Sequence, residues 1–103
     1  MEILFQWDES KATQNLRKHR VDFETATQVF FDHFAILRQD RVERGEVRWQ
    51  AIGMANGQAV LVVAHTVTDN AIDEGTEIVR IISARKADPK ERKDYEQNRL
   101  LQS

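Results

Sequence analysis

Apolar and polar positions alternate only loosely over Glu2-Ile3-Leu4-Phe5-Gln6-Trp7, but the run is short and aromatic, which predicts a strand ahead of Asp8. From Asp8 the period lengthens. The Asp8 carboxylate suits the free amides of a helix running to about His19, on which Lys11, Asn15, Lys18 and His19 fall three and four apart and form one polar, mostly basic face. Arg20 and Val21 break this pattern and Asp22 repeats the capping signal. Phe23, Ala26 and Phe30, with Val29 beside them, then give a second helix an apolar stripe suited to packing on a sheet. Phe34-Ala35-Ile36-Leu37 reads as a brief strand, and the charged stretch Arg38 to Gly45, which lacks apolar anchors, as an exposed loop.

Asn56-Gly57 separates two strand-like runs, Glu46 to Ala55 and Gln58 to Val67, and suits the positive φ angles of a two-residue type I′ hairpin turn. Such a turn places Arg48 opposite His65 and Gln50 opposite Val63, with Glu46 on the face of Arg48. A polar loop, Thr68 to Gly75, leads to a third strand, Glu77 to Ala84. Asp88-Pro89-Lys90-Glu91 then starts a last helix to about Leu100, with a capping residue and proline at the first helical position. The expected architecture is α+β: one domain over residues 1–103, with an antiparallel sheet of about four or five strands, two N-terminal helices packed on it and one C-terminal helix.

At 103 residues a second independent domain is not expected. The absence of cysteine removes disulfides, thiol nucleophiles and cysteine-ligated zinc, and agrees with a reducing compartment. The longest apolar stretch, Ala59 to Ala64, is too short to span a bilayer, and the acidic start Met1-Glu2 is unlike a secretory signal, so the expected location is cytoplasmic, with no membrane partner. Three scattered histidines without paired carboxylates give no metal site, and no cofactor is expected. A net charge of −2 hides an uneven distribution: seven of the 15 basic residues lie between Arg80 and Arg99. Asp88, Glu91, Asp94 and Glu96 share that run, so part of it reads equally as a salt-bridged, solvated helix face.

Taken in order, several of these segments carry a resemblance. Phe5-Gln6-Trp7-Asp8 with Lys11, Asn15-Leu16-Arg17-Lys18-His19, Val21-Asp22-Phe23-Glu24-Thr25-Ala26 and Val29-Phe30-Phe31-Asp32 are followed by Glu46-Val47-Arg48, Ile52-Gly53, Arg80-Ile81-Ile82-Ser83-Ala84-Arg85-Lys86-Ala87, Glu91-Arg92 and Tyr95. In order and spacing they resemble the BrnT family of bacterial proteins over most of the chain. Arg20 stands where that family usually has glycine, and the loop Asp69 to Glu77 looks longer than usual and lacks the customary basic residue near the strand end. The resemblance implies a fold related to the RelE ribonucleases and a toxin of a type II toxin–antitoxin system that cleaves RNA to arrest translation. It also implies a cognate DNA-binding antitoxin of the BrnA type that holds the toxin inactive and carries the complex to its operator DNA.

Metal-independent endoribonuclease chemistry needs a base for the 2′-hydroxyl proton, cations for the developing phosphorane charge and an acid for the leaving 5′-oxygen. Arg80 and Arg85 are assigned to the scissile phosphate, since a guanidinium offers a bidentate fork and stays charged. Strand alternation puts the two on opposite faces, so a bend near Ala84 is expected. His65 and Glu46 are the acid–base candidates, and Arg48, facing His65, holds the phosphate or lowers the histidine pKa. His65 reads equally as a hydrogen-bonded core histidine, and Glu46 with Arg48 as a surface ion pair worth roughly 0–1 kcal/mol. Tyr95 is placed either to stack a base or position the nucleophile, or to pack on the sheet. Lys18, His19 and Lys86 are candidate RNA-backbone contacts, although the helix dipole alone favours a basic helix end. The competing readings are a non-catalytic RNA-binding or regulatory module, with salt-dependent affinity and no cleavage, and a purely structural, oligomer-forming domain.

Overall fold

A computed structural model of the chain describes residues 2–70 and 72–103. The expected loop Thr68 to Gly75 contains residue 71, which lies outside the described residues. Five strands, β1 (Glu2–Gln6), β2 (Ile36–Glu43), β3 (Glu46–Ala55), β4 (Ala59–Asp69) and β5 (Thr76–Lys86), form one sheet in the order β1-β5-β4-β3-β2. Helix α1 (Glu9–His19), a short α2 (Phe23–Ala26) that continues as a 3-10 helix (Thr27–Phe31), and α3 (Pro89–Gln102) complete the α+β fold. No helix among the described residues is long and apolar enough to cross a membrane.

Three sequence expectations need correction. The sheet is mixed rather than antiparallel, because β1 runs parallel to β5 with Gln6 beside Arg80. The expected loop Arg38 to Gly45 is mostly strand: β2 pairs with β3 up to Glu43 opposite Glu46, and Arg44 and Gly45, with φ of 53° and 79°, make the two-residue turn. As an edge strand β2 is held largely by backbone bonds and does not need an apolar alternation. The Asn56-Gly57 turn forms, with both residues at positive φ, but Gln58 bulges and the ladder resumes at Ala55 opposite Ala59. That extra residue shifts the register by one, so Trp49 faces His65 and Arg48 points to the other side of the sheet.

Each sheet face has its own core. On one, Val21, Phe23, Ala26 and Val29 pack against Ala51, Leu61, Val63, Val79, Ile81 and Ala84. On the other, Tyr95 of α3 and Ala87 cover Ile52, Val60 and Val62. The assignment of Arg80 and Arg85 to one face is achieved by a β-bulge instead of a bend. Ala64 pairs with Ser83 and His65 with Ile81, leaving Ile82 as the extra residue, so Arg80 and Arg85 both lie on the α3 face.

Local chemistry explains the quoted motifs. Asp8 accepts the Ser10 and Lys11 amides at the start of α1, and Arg20 ends the helix at φ 60° with its N–H donated to the Leu16 carbonyl, 2.9 Å away. Gly53 is glycine for want of space, since a Cβ there would sit 2.9 Å from Val29 Cγ1 and 3.1 Å from the Ala35 Cβ. Asp32, in the same corner, accepts the Met54 amide at 2.7 Å, the Phe34 amide at 2.9 Å and the Tyr95 hydroxyl at 2.6 Å. Burial pushes the Asp32 carboxyl up, but these hydrogen bonds together hold it below the usual carboxylate range.

A carboxylate with a depressed folded pKa contributes stability above its unfolded value and loses it as pH falls through the folded one. Asp22 and Glu91 are depressed too, by the Thr25 amide and by Arg85 respectively. The urea midpoint is therefore expected to fall between about pH 5 and pH 3. Asp32→Asn should flatten that fall; an unchanged pH profile would exclude Asp32 as a contributor.

Candidate active site

α3 covers only part of its sheet face, and the remainder is open and charged. Around the β2–β3 turn the face-sharing residues are Arg41, Glu43, Glu46 and Arg48, and Arg80 reaches toward them from β5. Arg80 must span β4 to do so, and the residue opposite it there is the small, buried Thr66. Its Nη2 donates to Glu46 Oε1 at 2.6 Å, while Arg48 Nε lies 3.8 Å from the same oxygen. Arg48 Nη2 is also 3.8 Å from Glu43 Oε2. One carboxylate thus stands between two guanidinium groups.

Arg48 is the constrained member, with only 18% of its side chain exposed. Its Nε is buried without a hydrogen-bond partner, which is costly for a charged donor. Around this cluster runs a cleft of about 480 Å³ that takes in Asp8, Lys11, Arg44 and Ile82 as well as Glu43, Glu46, Arg48 and Arg80. Four cations against three carboxylates, one of them the helix-capping Asp8, leave it positive. A larger hollow, about 690 Å³, between α1 and α2 has Glu9, Asp22 and Glu24 among its lining residues and no lysine or arginine, so it is unsuited to phosphate.

The structure brings together Glu46, Arg48 and Arg80 from the expected set and separates the others. His65, 1% exposed, lies in the core on the opposite face, edge-on to Phe30 at 4.7 Å, with Nδ1 3.1 Å from the Val63 carbonyl oxygen. Burial pushes its pKa down, against the opposing effect of that carbonyl. Tyr95, 2% exposed, packs on the sheet, and burial together with Asp32 holds its phenol above the usual range. Arg85 shares the face of Arg80 but is clamped by Glu91 through bonds of 2.7 and 2.9 Å. Glu91 belongs to the capping box of α3, so this pair fastens the helix to the sheet. Lys86 lies opposite Leu61 on the other face, beside Arg20 and Asn56.

Lys18 and His19 line a further hollow of about 270 Å³ with Lys11, Gln14, Asn15, Ile82 and Ser83. Lys11 and Ile82 border both this hollow and the larger cleft. Sequence reasoning left out Lys11, Glu43 and Arg44 as site residues. Lys11 was recoverable, being part of both the basic helix face and the Phe5-to-Lys11 motif; Glu43 and Arg44 were hidden in the misread loop.

A family model described as the ribonuclease toxin, BrnT, of type II toxin–antitoxin systems matches residues 7–91. The fold is also similar to the crystal structure of the Brucella abortus ribonuclease toxin BrnT, with 27% identity and a TM-score of 0.61, over 85% of this chain and 99% of that one. No protein of curated function matches the sequence.

Proposed function

The chain belongs to the BrnT family of type II toxin–antitoxin ribonuclease toxins, and from that premise we propose that Glu46, Arg48 and Arg80 cleave RNA without a metal ion. The observation that carries this reading is the Glu46 carboxylate held between Arg80 and the underbonded Arg48 in a positive cleft. A phosphodiester entering the cleft takes the accessible guanidinium N–H groups of Arg48 and Arg80, and leaves Glu46 beside the ribose. Glu46 accepts the 2′-hydroxyl proton, the 2′-oxygen bonds to phosphorus, and the P–O5′ bond breaks. Lys11, which lines the cleft from α1, supplies the proton to the 5′-oxygen. The products are a 2′,3′-cyclic phosphate and a 5′-hydroxyl, so atoms and charge balance without a co-reactant.

In this reading Arg85 and Tyr95 act on stability, holding α3 in place, and His65 serves the core. The partner is a cognate antitoxin of the BrnA type, whose own DNA-binding domain takes the pair to operator DNA, and cleavage in the cytoplasm arrests translation. The test is incubation of the purified protein with a defined RNA in EDTA, without ribosomes. Cyclic phosphate ends are expected. Intact RNA, with salt-dependent binding retained, would replace the enzyme by a binding module.

A further inference from the structure

The hollow against α1 shares Lys11 with the cleavage chemistry and Asn15 with the fold, but its other polar groups, Gln14, Lys18, His19 and Ser83, serve neither. β1 stops at Gln6 beside Arg80, so the outer edge of β5 beyond that point is flanked by α1 and not by a strand. There Asn15 takes over the role of a neighbouring strand, accepting the Ala84 N–H and donating to the Ala84 carbonyl. The Ile82 bulge lies between this Asn15 anchor and Arg80, at the point where the hollow and the cleft meet.

The lining chemistry of the hollow differs from that of the cleft. Lys11, Lys18 and His19 are its charged or titratable groups, Gln14, Asn15 and Ser83 its neutral polar ones, and no carboxylate lines it. Among the described residues none of Lys11, Lys18 and His19 makes an ion pair, unlike Arg48 and Arg80. A helix dipole accounts for cations at the end of α1 but not for Lys11 in its first turn, where it disfavours positive charge. Lys11, Gln14 and Lys18 share one helix face, and Lys11 to Lys18 spans about 10 Å along the axis. That is longer than the ~3.4 Å rise per phosphate of a stacked strand, so the face has room for more than one phosphate.

The geometry points to a second nucleotide subsite in this hollow, so that a single-stranded RNA segment crosses β5 at the Ile82 bulge from the Glu46 cleft to α1. This rests on the proposed cleavage site but extends it to substrate class. The path runs along the edge of β5 past the Ile82 bulge, over two hollows that share Lys11 and Ile82. A single strand can follow it; a stiff A-form duplex, whose phosphates lie along a straight rod, cannot engage both hollows.

The test titrates the isotope-labelled full-length protein with uncleavable 2′-O-methyl RNA, a dinucleotide and a hexanucleotide, and follows backbone amide shifts by NMR. The dinucleotide is expected to shift residues around Arg48 and Arg80, and the hexanucleotide to add Gln14, Lys18, His19 and Ser83. Lys18→Ala with His19→Ala should weaken the hexanucleotide about tenfold and reduce its salt slope by about one, leaving the dinucleotide unchanged. A hexanucleotide that leaves the α1 amides unmoved, a double variant that binds it as tightly as wild type, or an RNA duplex that binds as well as the single strand would overturn the proposal. Failure of the cleavage reading looks different. The unmethylated hexanucleotide would then stay intact while the shifts and the length dependence persist.

Discussion

Glu46→Gln lowers the rate of RNA cleavage by about 10²–10⁴-fold and leaves the protein folded, as judged by a cooperative urea transition at neutral pH. The amide keeps an oxygen that can accept from Arg80 Nη2, at 2.6 Å in the native protein, but it cannot take a proton from a 2′-hydroxyl. The pair is partly exposed, so its loss as an ion pair costs at most about 1 kcal/mol. Arg80→Ala should also cut the rate, by about 10²–10³-fold, because it removes a donor aimed at the developing phosphorane charge. The double variant should lose less than the product of the two, since both act on one transition state. Arg85→Ala is the internal comparison: it breaks the bidentate clamp on Glu91 and lowers the urea midpoint, with cleavage at neutral pH retained. A Glu46→Gln variant that cuts RNA at the wild-type rate would remove Glu46 as the base, and loss of activity in Arg85→Ala at unchanged stability would bring Arg85 back to the phosphate.

How much of this was legible in the sequence varies with the range of the cause. Caps and tight turns are local, so Asp8, Asp22, Asp88 and Asn56-Gly57 could be read directly. The edge strand β2 was not, because its side chains are charged and its partner is defined only by the backbone of β3. One bulged residue, Gln58, was enough to turn Arg48 away from His65, and because β3 and β4 bury apolar residues on both faces their hydrophobic pattern could not fix the register. The same feature worked in the opposite sense at Ile82, whose bulge puts Arg80 and Arg85 on one face without uniting them in one site. Parallel pairing of β1 with β5 joins distant segments with no turn to announce it. The quoted family motifs divide accordingly: Asn15, Asp32, Gly53 and Tyr95 hold the scaffold, whereas Lys11, Glu46, Arg48 and Arg80 are gathered at the cleft.

Asn15→Ala is expected to cost about 3–5 kcal/mol, the largest stability loss of any single substitution considered. Asn15 is 6% exposed and its amide is fully used: Nδ2 donates to the Val21 carbonyl at 2.9 Å and to the Ala84 carbonyl at 2.8 Å, and Oδ1 accepts the Ala84 N–H at 3.0 Å. Alanine leaves one N–H and two carbonyls without partners in a place where water has little access, at about 1–3 kcal/mol for each group left buried and unpaired. Against a total stability of about 5–15 kcal/mol for a domain of this size, that is a large share. Asn15→Asp should not rescue it, since a carboxylate keeps the acceptor but replaces two donated bonds by repulsion from two carbonyl oxygens. Gln14→Ala, one position away and exposed, serves as control and should change stability by less than about 0.5 kcal/mol. Urea unfolding of the three variants at neutral pH decides the matter. A loss below about 1 kcal/mol for Asn15→Ala would mean that water replaces the amide, and that β5 needs no substitute strand where β1 ends.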